Sequence, residues 1–134
     1  MKKNVLVFGF ALVAFLGINL LPMAETHSTG QANAASNLNS LLQRKMTLKE
    51  DAIAQLRQAM ECHNRGNLQG FMFHTNRASQ ILRNIPGVGA PYDARNLRQS
   101  LDHIDDARSI ANARGFPITI RNRINQAIGA IQGI

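Results

Sequence analysis

Apolar residues recur at intervals of three and four along most of this chain, and that recurrence predicts helices rather than strands. An uncharged apolar run over residues 5–21 opens it. A polar lead rich in Asn and Ser follows, with room for a short helix over residues 35–46. Thr47-Leu48-Lys49-Glu50 has the capping-box form Thr-x-x-Glu, which predicts the start of a longer helix. Ile53, Leu56, Met60 and His63 would share its buried face, and Gly66 would end it. A second helix after Asn67 would bury Phe71, His74, Ala78, Leu82 and Ile85 and stop at Pro86. The run Pro86-Gly87-Val88-Gly89-Ala90-Pro91 is the main break in the chain. A third helix from about Asp93 would bury Leu97, Leu101, Ile104 and Ala111 and end near Gly115. A last one, opened by Pro117, carries Ile120, Ile124, Ala127, Ile128 and Ile131. No alternating β-branched and aromatic run lies outside the opening segment. Four amphipathic helices with short connections predict an all-α antiparallel four-helix bundle built from two helical hairpins. The hexapeptide starting at Leu56 (LRQAME) is echoed by the one starting at Leu97 (LRQSLD), a spacing that suggests equivalent places in the two hairpins.

The opening segment changes the picture of where the protein works. Lys2 and Lys3 followed by a charge-free apolar run have the form of a signal peptide, and Ala32-Asn33-Ala34 places small residues where a signal peptidase inspects them. Cleavage is expected after Ala34, with Ala24 as an alternative site and an uncleaved anchor as the alternative outcome. The expected organisation is a signal peptide over 1–34, a polar lead over 35–46 and the bundle over 47–134. The mature protein would be periplasmic or secreted, with no stable membrane association once cleaved.

Charge and composition then narrow the function classes. The segment after residue 34 carries 13 basic and seven acidic residues, and 11 of the basic ones are Arg. Guanidinium forks match phosphates and carboxylates, so an anionic polymer is one candidate partner. One cysteine, Cys62, excludes an internal disulfide. Adjacent helical residues diverge by about 100°, which would turn Cys62 out of the stripe containing His63, exposed and open to dimer formation through an intermolecular disulfide. The same divergence spoils Cys62 and His63 as a nucleophile and base pair. The acidic group Asp102, Asp105 and Asp106 reads as a solvated face. No zinc-protease, phosphate-loop or nucleophile motif is found, so the chain reads as non-enzymatic.

Two ligand readings remain. His63 and His74 lie on stripes that would face each other across Gly66 with Met60 near, and His103 has Asp106 three residues on. Imidazole and thioether donors of this kind suit Cu, Ni or Zn. The segment from Ala52 through Gly66 to His74 and Ala78, together with His103-Ile104-Asp105-Asp106-Ala107, resembles the small metal-binding protein family of exported, helical, histidine-rich bundles. That resemblance implies a four-helix bundle that binds divalent transition metals reversibly through histidines on its helices. His74 and His103 are the positions that match the family's histidines. The rival reading lies in the central break. Ile81-Leu82-Arg83-Asn84-Ile85-Pro86-Gly87-Val88-Gly89 looks like a helix-hairpin-helix element, which implies DNA or polyanion binding through Gly87 and Gly89, with Arg83, Arg95 and Arg98 flanking. The sequence therefore predicts an exported, basic, helical binding protein for a divalent transition metal, for DNA or another polyanion, or for a structural partner.

Overall fold

A computed structural model describes residues 8–86 and 90–134, with side chains from residue 30 onward. The start of the expected signal segment and the Gly87-Val88-Gly89 turn lie outside the described residues. Four helices make up the described chain: α1 (Phe8–Asn64), α2 (Leu68–Arg83), α3 (Pro91–Asn112) and α4 (Pro117–Gln132). The fold is all-α, and no strand occurs among the described residues. Among them, too, no helix is long and apolar enough to cross a membrane. The chain divides into two units, Met1–Ser40 and Leu41–Ile134. In the first, every described side chain is exposed.

The expected capping box at Thr47 is corrected. Residues 35–46 are helical, and Thr47 lies within α1, its Oγ1 donating to the Gln43 carbonyl at 3.1 Å. No Gly or Pro interrupts residues 31–65. A threonine in such a stretch satisfies its hydroxyl on the preceding turn and does not start a new helix. The end of α1 is where the sequence places it. Gly66 has φ +72°, which favours glycine, and Asn67 caps α2 by accepting from the Gly70 N–H at 2.8 Å. Replacing Asn67 with Ala should cost about 1 kcal/mol, read as a lower urea midpoint with an unchanged slope.

The third helix starts two residues earlier than predicted. Pro91 stands in its first turn, where a missing N–H costs nothing and the fixed φ suits a helix. The α3 to α4 turn places Arg114, not Gly115, in the left-handed region, at φ 54°. Gly115 is needed there because an added Cβ would lie 2.5 Å from Ile110 Cγ2 and 3.1 Å from its carbonyl oxygen.

Neighbouring helices meet along lines that fix their directions. His63 meets Phe71 and Gln55 meets His74, so α2 runs back along α1. Asp106 meets Arg123 and Asn96 meets Gly133, so α4 runs back along α3. Lys49 Nζ donates to the Gln132 carbonyl, joining α1 to the end of α4, and α2 packs against α3. Ala52, Leu56, Ala59, Phe71, Ala78, Leu82, Ile104, Ile124, Ala127 and Ile131 bury one common core. Thr75 and Ser100 join them fully buried, each hydroxyl bonded to a carbonyl of its own helix. Small side chains at these positions let the helix backbones approach closely.

The hexapeptide echo does not mark equivalent places in the two hairpins. Leu56 lies near the C-terminal end of α1 and Leu97 near the N-terminal end of α3. In each copy the fourth residue, Ala59 or Ser100, is fully buried. The shared pattern therefore sets the same face toward the core at opposite ends of the helices.

Candidate functional site

The residues expected to gather around a metal take separate neighbours. His74 lies against α1, its ring nitrogen Nδ1 2.9 Å from Gln55 Oε1 and its ring edge-on to Phe73. With the carboxamide oxygen as acceptor, Nδ1 carries the hydrogen, which leaves Nε2 to coordinate. The His63 ring is tilted against Phe71 at 5.5 Å between centroids. Met60 lines a groove beside α4 with Arg121, Asn125 and Ile128. On α3, His103 is half-buried, and Asp106 faces Arg123 Nε at 3.5 Å. Among the described residues, no three His, Cys, Asp or Glu side chains are grouped to hold a metal ion.

Cys62 is also corrected. It is half-buried and packs against the core rather than pointing to solvent. Its Sγ lies 2.7 Å from where a Cβ on Gly70 would stand. The glycine in the first turn of α2 makes room for the thiol, which a count of helical angles on α1 alone does not reveal.

The helix-hairpin-helix residues divide in the same way. Arg83 and Arg98 line a groove between α2 and α3, and Arg95 is exposed. Asp102 and Asp105 line that groove too, so its walls carry two carboxylates as well as two arginines. At the N-terminus of α3, where the motif would hold a phosphate, Asp93 is already paired with Lys45 at 2.6 Å. An anion there would meet a carboxylate, and Pro91 in the first turn withholds one N–H.

A second groove, between α1 and α4, has the opposite electrostatics. Arg57 and Asn64 of α1 and Arg121 and Asn125 of α4 form its walls, with Met60 and Ile128 as half-buried apolar lining. Its volume is about 390 Å3, within the range of small-molecule sites. No carboxylate lines it. Glu61, the nearest acid along α1, lies exposed beside Arg65 at 4.0 Å. The sequence carries a signal for this groove in the hexapeptide echo. Arg57, Met60 and Asn64 have the spacing of Arg98, Leu101 and Asp105, and each set lines one groove. Asn64 stands where the other set has Asp105.

No family model, no curated protein and no solved structure matches this chain.

Proposed function

We propose that this chain is an exported, non-enzymatic binding protein, an antiparallel four-helix bundle behind a cleaved signal peptide, and that its partner is an anionic polymer. One observation carries the choice of partner. After Asp106 the chain has no acidic residue, yet it has Arg108, Arg114, Arg121 and Arg123. Arg108 and Arg123 are paired with Asp105 and Asp106 of α3, whereas Arg114 and Arg121 have no carboxylate within ion-pair distance among the described residues. Exposed guanidiniums without internal partners raise the local concentration of anions at the surface. The metal reading has less support, since no three His, Cys, Asp or Glu side chains are grouped among the described residues and Arg123 holds Asp106. Recognition through the glycine turn is also less favoured, with Asp93 seated at the α3 N-terminus.

Labelled duplex DNA titrated against the purified protein at several salt concentrations tests this proposal. Binding should be readily measured at low salt and fall with a log–log slope of about −0.9 per phosphate contact. Arg114→Gln and Arg121→Gln should each weaken binding to all DNA sequences alike and make that slope shallower by about one. No binding at low salt would reject the anionic polymer.

A further inference from the structure

The geometry points to a discrete phosphate site in the α1–α4 groove, and we propose that it takes a phosphate monoester bearing an apolar group. This goes beyond surface binding of a polymer and does not depend on it, because a groove of about 390 Å3 holds one small group rather than a strand. Arg57 and Arg121 supply two guanidinium forks from opposite walls, and Asn64 and Asn125 add carboxamide donors. One fork satisfies a carboxylate. A dianionic phosphate has three terminal oxygens and can engage both forks and the amides together. Met60 and Ile128 would cover the first carbons of the ester group.

The molecule supplies its own comparison. The α2–α3 groove repeats the arginine and apolar wall at the same spacing, with Arg83 opposite, but Asp102 and Asp105 stand beside its arginines. Asp105 also accepts from Arg108 at 3.2 Å, so the lining of that groove carries acidic as well as basic groups. The equivalent of Asp105 in the α1–α4 groove is Asn64, an amide that leaves the two arginines to a ligand. A single exchange at residue 64 should therefore close the site.

Isothermal titration of the purified protein with hexyl phosphate, inorganic phosphate and hexanoate tests the assignment. Hexyl phosphate should bind at least tenfold more tightly than either of the others. Asn64→Asp and Arg121→Gln should each weaken it at least tenfold, with helical circular dichroism unchanged because both side chains are exposed. Asp102→Asn with Asp105→Asn should add a second binding event. Cosedimentation with phosphatidylcholine vesicles containing phosphatidic acid separates the two sources of this chemistry: a lipid headgroup if the vesicles capture the wild type and release Asn64→Asp, a free metabolite if hexyl phosphate alone is bound. Hexyl phosphate binding that is absent, matched by inorganic phosphate, or unchanged in Asn64→Asp would overturn the site. Retained DNA binding in that same variant would leave the polymer reading standing.

Discussion

Replacing Phe71 with Ala should lower stability by about 3–5 kcal/mol, the largest loss expected from any single truncation in the core. Phe71 is 0% exposed and is the largest of the fully buried side chains. It lies in the first turn of α2, two turns of chain from the end of α1, and its ring meets His63 of that helix. Truncation would remove the ring's buried area and leave a void that the surrounding Leu and Ala side chains cannot fill without moving backbone. A domain of about 100 residues has a total stability on the order of 5–15 kcal/mol, so this one change removes a large share of it. Thermal unfolding followed at 222 nm should fall by roughly 15–30 °C. Phe73 provides the control, being 65% exposed two residues away. Phe73→Ala should stay within about 0.5 kcal/mol of wild type. Equal losses at the two positions would mean that α2 is rotated from the orientation described.

Where local chemistry decides the outcome, the sequence was legible. Gly66, Asn67 and Pro117 mark their helix boundaries because positive φ, side-chain capping and a fixed φ each act within a few residues. Ile120, Ile124 and Ile131 of α4 fall on the buried face because a 3.6-residue period needs no knowledge of a partner. The continuity of α1 was not legible, since Thr-x-x-Glu fits both a helix start and a helix interior. Buried Thr75, Ser79 and Ser100 were missed for a related reason. Apolar periodicity passes over hydroxyls, although Thr75 and Ser100 satisfy theirs on their own helices.

The candidate sites depend on what sequence spacing does not contain, namely the register between helices. Shifting α1 against α2 by one turn would bring a different residue than Gln55 to His74. Met60 sits on the side of α1 that meets α4, so its distance along the chain from His74 carries no information about donors. The arginines show the same limit. Arg57 and Arg121 are 64 positions apart in sequence and line one groove, whereas Arg83 and Arg98, much closer in sequence, share theirs with two aspartates. Excess positive charge was legible from composition. That Arg123 is paired with Asp106 was not, because that depends on how α4 lies against α3.

The second large effect is expected at the ion pair that joins α1 to the start of α3. Lys45 Nζ and Asp93 Oδ2 are 2.6 Å apart, with their side chains only 16% and 18% exposed. Removing one partner from such a pair leaves the other charge poorly solvated, and the two removals are not equivalent. Asp93 stands in the first turn of α3, where the helix dipole favours a carboxylate even without the lysine. Lys45 on α1 has no such compensation, and its ammonium would be left among half-buried groups. Asp93→Ala should therefore cost about 2 kcal/mol, while Lys45→Met, which keeps the apolar stem, should cost less than about 1 kcal/mol. In the double variant the loss should be smaller than the sum of the two, by the coupling of the pair. Urea unfolding of all four proteins measures each term. A larger loss for Lys45→Met than for Asp93→Ala would show that the dipole of α3 does not hold Asp93, and would reopen that helix terminus as a place for an external anion.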